Sequence, residues 1–228
     1  MICLSLQHES PSGLLELVRQ HSNYADIIEI RLDLLADPFS MEFHKVSSCC
    51  NVPVIYTNRI KQEGGAFHGS EEQRLSLLER AIEAGADYID IEFLTDRDLL
   101  SGLMEKARGG GTKVIVSYHD FHGTPEEDQV NLLFSRMAET GPDVIKIVTM
   151  ASDRTDFFRL APAFRLAESH SIPLIAFCMG EHGRFSRVCS LFFGAFLTFA
   201  SPDSGSVTAP GQIPIRKMQQ ILSLMKPV

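Results

Sequence analysis

Eight short β-branched runs, separated by longer segments with apolar residues three and four apart, constrain this chain more than any other feature. The runs are Ile2–Leu6, Asp26–Leu32, Val54–Asn58, Tyr88–Phe93, Lys113–Tyr118, Val144–Val148, Leu174–Cys178 and Ala195–Phe199. Alternation of strand and helix implies parallel pairing, because each helix carries the chain back before the next strand begins. About eight such units, with no linker-like Pro/Gly/Ser run between them, favour a single domain over residues 1–228, a closed (β/α)8 TIM barrel. The rival is an open doubly wound sheet. It would carry a glycine-rich phosphate loop after the first strand, and none is present; Gly109–Gly111 precedes a strand and reads as a turn.

The helical segments include Glu72–Glu83 and Phe134–Glu139. Ser70 followed by Glu71 and Glu72 marks a helix start with an acidic first turn. Thr124-Pro125-Glu126-Glu127 marks a second, with Thr124 as the cap, proline at the first position and glutamate at the capping-box position. An internal echo accompanies the alternation. Asp26, Asp87 and Asp143, at separations of 61 and 56 residues, each follow a small or turn residue and precede a strand with a charge at one register. That spacing matches alternate βα pairs.

Composition narrows the class of function. Lys plus Arg number 21 against 29 Asp plus Glu, a formal net charge of −8, which disfavours nucleic acid or anionic lipid as partner. No apolar run reaches the roughly 20 residues of a membrane span, and the start MICLSLQHES lacks the layout of a signal peptide. The five cysteines are odd in number and show no CxxC spacing, so they read as reduced thiols of a cytoplasmic protein rather than a metal site.

Strands of a parallel sheet should be almost wholly apolar, and the exceptions here obey a rule. Side chains alternate between faces with period two. If Lys146 points into the barrel, Val144 and Val148 share its face, while Ile145 and Ile147 pack on helices. The same parity groups Glu29 with Arg31, Thr57 with Arg59, Asp90 with Glu92, and Ser117 with His119. These groups fall at the C-terminal ends of their strands, where barrel enzymes place catalytic side chains. A structural use is the alternative: Glu29–Arg59 or Glu92–Arg31 as ion pairs, and His119 as a satisfied core histidine.

A lysine desolvated in an apolar strand beside cationic neighbours has its ammonium form disfavoured, and its amine can attack a carbonyl to form an imine. A histidine can remove the proton that the imine acidifies and return one to a leaving hydroxyl. Arginines can grip a carboxylate. The set points to imine chemistry on a small, anionic, hydroxylated carbonyl compound.

At these residues the chain resembles the type I 3-dehydroquinate dehydratases, Schiff-base enzymes of the shikimate pathway, which leads to chorismate and aromatic amino acids. The motifs run in order: Glu29, Arg31 and Asp33; Thr57 and Arg59, then Glu63-Gly64-Gly65; Asp90 and Glu92; Ser117, His119, Asp120 and Phe121; Lys146 between two isoleucines; Met179-Gly180; Ser186-Arg187; and Ala209-Pro210-Gly211-Gln212. The resemblance implies that Lys146 forms the imine with 3-dehydroquinate, that His119 is the general acid/base, and that Glu63 orients it. It implies that Glu29 and Arg59 hold ring hydroxyls, with Arg31 in the same substrate-binding set, and that Arg187 binds the carboxylate. Thr208, where serine is common in the family, and Gln212 fall on a lid. The reaction implied is syn elimination of water giving 3-dehydroshikimate, with no metal or organic cofactor, in a homodimer. The family's short N-terminal hairpin, which plugs the barrel bottom, is expected to be lacking, and the chain ends too soon after Gln212 for a fused shikimate dehydrogenase. Glu181, His182 and Arg184 receive no role.

Two other readings share parts of this pattern. A class I aldolase uses the same barrel and lysine, but needs glycine-rich phosphate-binding turns after the seventh and eighth strands. A non-catalytic carboxylate-binding barrel would use Arg59 and Arg187 and leave Lys146 and His119 idle.

Overall fold

A computed structural model of the protein describes residues 1–204 and 208–225. The strands are β1 (Ile2–Leu6), β2 (Ile27–Arg31), β3 (Val54–Thr57), β4 (Tyr88–Glu92), β5 (Lys113–Asp120), β6 (Val144–Met150), β7 (Leu174–Met179), β8 (Thr198–Ser201) and β9 (Ile213–Pro214). All pair in parallel, in the order β7-β6-β5-β4-β3-β2-β1-β8-β9. The sheet curls until the residues before β8 meet the start of β7, where Phe196 N–H donates to Leu174 O at 2.8 Å. Among the described residues that hydrogen bond stands at the seam in place of a regular ladder. The result is the expected single-domain α/β barrel fold, with a curled parallel sheet.

Its helices are α1 (Pro11–His21), α2 (Phe43–Ser47), α3 (Glu71–Glu83), α4 (Arg97–Gly110), α5 (Glu127–Ala138), α6 (Phe157–Leu160), α7 (Ala163–His170), α8 (Gly180–Gly183), α9 (Ser186–Phe192) and α10 (Ile215–Met225). The two predicted faces are realised as two separate apolar clusters. Ile28, Ile30, Ile89, Ile91, Ile145 and Ile147 join the larger one, between sheet and helices. Cys3, Ile27, Ile55, Ile115, Val144, Ile175 and Leu197 form part of the inner one. Each fully buried Ile or Leu contributes ~1.5–3 kcal/mol, so reversing one strand's parity would forfeit several such contributions at once.

Four expectations about elements are corrected. β8 begins at Thr198, not Ala195, because Ala195–Leu197 form the approach to the seam. β5 and β6 run on to Asp120 and Met150, since His119↔Val148 and Asp120↔Thr149 continue the ladder although the side chains turn polar. Strand β9, beside β8, was not anticipated. Finally, Thr124 does not cap α5. Glu126 does, in a capping box with Gln129, while the Thr124 hydroxyl donates to Met150 O at 2.9 Å and pins the β5–α5 loop to β6. Ser70 caps α3 as expected, in a capping box with Gln73.

The three echoed aspartates act alike at the N-terminal end of the sheet. Asp26 Oδ2 accepts from Ile2 N–H (2.7 Å), Asp87 Oδ2 from Val54 N–H (2.9 Å) and Asp143 Oδ2 from Val114 N–H (2.8 Å). Each sits just before an even-numbered strand and satisfies an amide at the start of the preceding one. Below the inner apolar layer, Tyr88 and Phe196 lie in ring contact at 6.2 Å, with the Lys113 ammonium 5.6 Å from the Tyr88 ring. These side chains lie at the N-terminal end of the barrel, at or just before the starts of β4, β5 and β8.

Candidate active site

Above the apolar layer the interior turns polar at the C-terminal ends of the strands. Lys146, on β6, is buried, and its Nζ donates to Asp90 Oδ2 on β4 at 2.8 Å. Glu29 Oε1 lies 3.7 Å away, and the ammonium sits 4.4 Å from the Phe199 ring centre. The expectation of a lysine among cationic neighbours is corrected: the charges touching Lys146 are carboxylates. Burial works against an ionised Asp90, but Arg59 and Lys146 outweigh it and hold the acid well below the usual carboxylate range. Asp90 therefore stays an anion beside the lysine.

Arg59 follows β3 and spans the next level up. Its Nη2 donates to Asp90 Oδ1 (2.7 Å), and its Nη1 to Glu92 Oε1 (2.9 Å) and Ser117 Oγ (2.7 Å). Arg31 forms a bidentate pair with Asp33 at 2.9 and 2.7 Å. Asp33 also accepts Arg59 N–H and Ala66 N–H, tying the loop after β3 to β2. Neither Glu29–Arg59 nor Glu92–Arg31 is an ion pair among the described residues. Glu29 instead accepts from Thr57 Oγ1 at 2.9 Å and from Ser5 Oγ.

His119 is held twice by one carboxylate oxygen. Glu63 Oε2 lies 2.9 Å from both the backbone nitrogen and Nδ1 of His119. Because Oε2 already accepts the backbone N–H, Nδ1 is assigned the ring hydrogen, which leaves the Nε2 lone pair free to act as a base. Burial, then Arg59 and Lys146, push the imidazolium form well below the ordinary histidine range. Burial raises Glu63 to about 8 against the pull of Arg59. The Glu63-Gly64-Gly65 turn needs its glycines: Gly64 has φ +79°, and a Cβ on Gly65 would lie 1.9 Å from Arg59 O.

Arg187, on α9, is 1% exposed, stacks 4.4 Å from the Phe177 ring centre and donates to Pro210 O at 3.0 Å. Its Nε has no hydrogen-bond partner, and no carboxylate pairs with it among the described residues. Burial, the largest influence, pulls it down to about 9. Over the pocket, Thr208 Oγ1 donates to Ser5 Oγ at 2.9 Å, and Gln212 folds back on Thr208 through two hydrogen bonds of 2.8 and 2.9 Å.

All nine residues singled out from the sequence (Glu29, Arg31, Arg59, Glu63, His119, Lys146, Arg187, Thr208 and Gln212) line one cavity of roughly 460 Å³, open mouth included. Glu181, His182 and Arg184 do not line it; they are exposed on and just after α8. Sequence reasoning left Asp90, Glu92, Ser5 and Arg74 out of the site set. Parity already groups Asp90 with Glu92 on the inward face, and it puts Ser5 there too, two residues after the inward Cys3. Arg74 could have been found from helical spacing, since 74, 77, 78, 81 and 82 all fall on the buried face of α3.

Fold and pocket together define an enzyme of the (β/α)8-barrel class, with a buried lysine and a carboxylate-held histidine lining one cavity. A family model described as Type I 3-dehydroquinase matches residues 2–227, and the chain belongs to that family. It is 36% identical over 226 residues to a 3-dehydroquinate dehydratase of Methanococcus maripaludis strain C6, covering 99% of this chain and 100% of that one. It is 37% identical over 223 residues to a 3-dehydroquinate dehydratase of Desulfotalea psychrophila, covering 97% and 96%. The crystal structure of the Geobacillus kaustophilus 3-dehydroquinate dehydratase superposes with a TM-score of 0.90 at 26% identity, covering 98% of this chain and 90% of that one.

Proposed function

We propose that this protein is a hydro-lyase that converts 3-dehydroquinate to 3-dehydroshikimate through an imine on Lys146, within aromatic amino acid biosynthesis. The observation that carries the reading is one cavity holding a buried lysine, a histidine whose Nδ1 is fixed by Glu63, and a guanidinium without an acid partner. Arg187 receives the substrate carboxylate, which supplies the missing counter-charge. The Lys146 ammonium passes a proton to neutral His119, the amine adds to the ring ketone, and His119 returns that proton to the carbinolamine hydroxyl, which leaves as water and gives the protonated imine. His119 Nε2 takes the proton from the neighbouring carbon, and the electron pair moves through the enamine to expel the hydroxyl. His119 returns its proton to that hydroxyl, so a second water leaves. Hydrolysis of the product imine consumes one water and frees Lys146. Asp90, held ionised, is the counter-charge of the protonated imine before and after the enamine. Glu29, Arg31 and Arg59 contact the ring substituents, and Thr208 and Gln212 close over them.

An aldolase reading would need free backbone amides for phosphate at the ends of β7 and β8. The Gly180 N–H faces Pro210 O at 3.4 Å, so the lid segment occupies that position. A non-catalytic barrel leaves the His119–Glu63 couple without a purpose. Family likeness further supports a homodimer, for which sedimentation velocity is the test, and a cytoplasmic setting. Among the described residues no helix is long and apolar enough to cross a membrane.

The reading is tested by incubation with 3-dehydroquinate and borohydride. One substrate equivalent should become fixed to Lys146, and in His119→Ala it should still be fixed while turnover falls ~10²–10⁴-fold. A label on Lys113, or none at all, rules the imine mechanism out.

A further inference from the structure

Arg74 lies outside the substrate cavity, on α3 in the helix layer, yet it is among the most deeply buried side chains of the molecule, at 1% exposure. A guanidinium removed from water is costly unless every donor is used, and here every donor is used. Nε and Nη2 donate to the two oxygens of Glu71 at 2.7 Å each, Nη2 also to Thr95 Oγ1 at 3.2 Å, and Nη1 to Asn58 O (2.8 Å) and Glu92 Oε2 (2.7 Å). The last contact leads inward. Glu92 is fully buried and divides its oxygens between two layers: Oε2 takes Arg74 from the helix side, while Oε1 takes Arg59 Nη1 and Ile60 N–H on the barrel side. Arg59 then grips Asp90, and Asp90 grips Lys146. The charges alternate along the line Glu71, Arg74, Glu92, Arg59, Asp90, Lys146.

We propose that Arg74 is a positioning residue for the reaction: by neutralising and orienting Glu92 from behind, it keeps the Arg59 fork aimed at Asp90 and so holds Lys146 in place. Arg59 divides its two terminal nitrogens between the two acids. If Glu92 loses Arg74, its second oxygen is left bare in a dry site, and Arg59 is the remaining cation that can turn toward it. That turn loosens the Arg59–Asp90 contact and leaves the Asp90–Lys146 pair without its cross-brace. Arg74 does not reach the cavity, so any change in substrate binding comes only through Arg59.

This inference rests on the imine reading, so the unaltered enzyme is first shown to turn over 3-dehydroquinate and to trap on Lys146. If it does not, the imine reading fails before Arg74 is tested. A double-mutant cycle then combines Arg74→Gln with Glu92→Gln, measuring kcat, KM, the rate of borohydride trapping and thermal unfolding of each variant. Arg74→Gln should lower kcat and the trapping rate at least tenfold, with a smaller change in KM, since the binding groups are reached only through Arg59. In the Glu92→Gln background the same change should cost less than twofold, because no carboxylate is left to neutralise. Multiplying losses in the double variant, or kcat falling only with the folded fraction, would reduce Arg74 to a brace for α3 and overturn the proposal. Where Arg74→Gln does not fold, the cycle is run with Arg74→Lys, which keeps a charge but lacks a fork able to span Glu71, Asn58 and Glu92. The same loss of effect in the Glu92→Gln background is expected, and additive losses again overturn it.

Discussion

Residue by residue, the site shows how little of an ion pair's identity resides in charge alone. Glu29 and Arg59 share an inward parity, but β2 and β3 pair Glu29 with Ile55, which leaves Arg59 four residues further along and level with Glu92 instead. Period two tells which face a side chain takes; inter-strand register tells whom it meets. Glu63 shows the complementary point, because burial rather than a partner dominates it. Its proton leaves near 4.5 when the group is free and near 8 in the folded protein. The folded state therefore retains an extra proton across that window, and stability falls as pH rises through it. Glu63→Gln, which mimics the protonated acid, should remove this slope. Its stability relative to the unaltered protein should rise between pH 5 and pH 8, by at most about 1.4 kcal/mol per pH unit. Urea melts at the two pH values measure it, and a relative stability that does not change with pH refutes the protonated Glu63.

Strands and helices behave as modular pieces with specific fasteners. The Asp26, Asp87 and Asp143 clamps lie at the N-terminal end of the sheet, remote from the reacting groups, and each replaces water at one backbone amide. Asp87→Ala should cost ~1 kcal/mol in chemical denaturation while kcat stays unchanged, since it removes one hydrogen bond far from Lys146. A loss of activity at full occupancy of the folded state would contradict that division of labour. These clamps were legible in the sequence as a repeat, though not as hydrogen bonds. The misplaced Thr124 cap has a related cause: its hydroxyl finds a carbonyl on β6, a competitor that local sequence does not contain.

On the scale of the molecule, the segment proposed as a lid is seated by backbone packing as much as by side chains. Gly211 has φ +76°, and a Cβ there would stand 2.3 Å from Gly180 O at the end of β7. Gly211→Ala should therefore prop the lid open, lowering kcat/KM by roughly tenfold or more while changing stability by no more than about 1 kcal/mol, since the segment is a surface loop. Unchanged turnover would show that closure does not depend on this contact. Arg187 is placed by the same packing, between Phe177 and Pro210 O, where it lines the cavity.

The sequence by itself determined the alternation of strand and helix, the inward parity of Lys146 and its companions, and the clustering of polar groups at one end of the strands. These follow from periodicities of 2 and 3.6, which are local properties of the backbone. Only the tertiary structure decided that Asp90, not a cationic neighbour, meets Lys146, that Arg31 is spoken for by Asp33, that Arg187 is left without an acid, and that Arg74 backs Glu92 from the helix layer. Those outcomes depend on the stagger between strands and on how a helix sets against the curled sheet. Both are properties of the closed assembly rather than of any one segment.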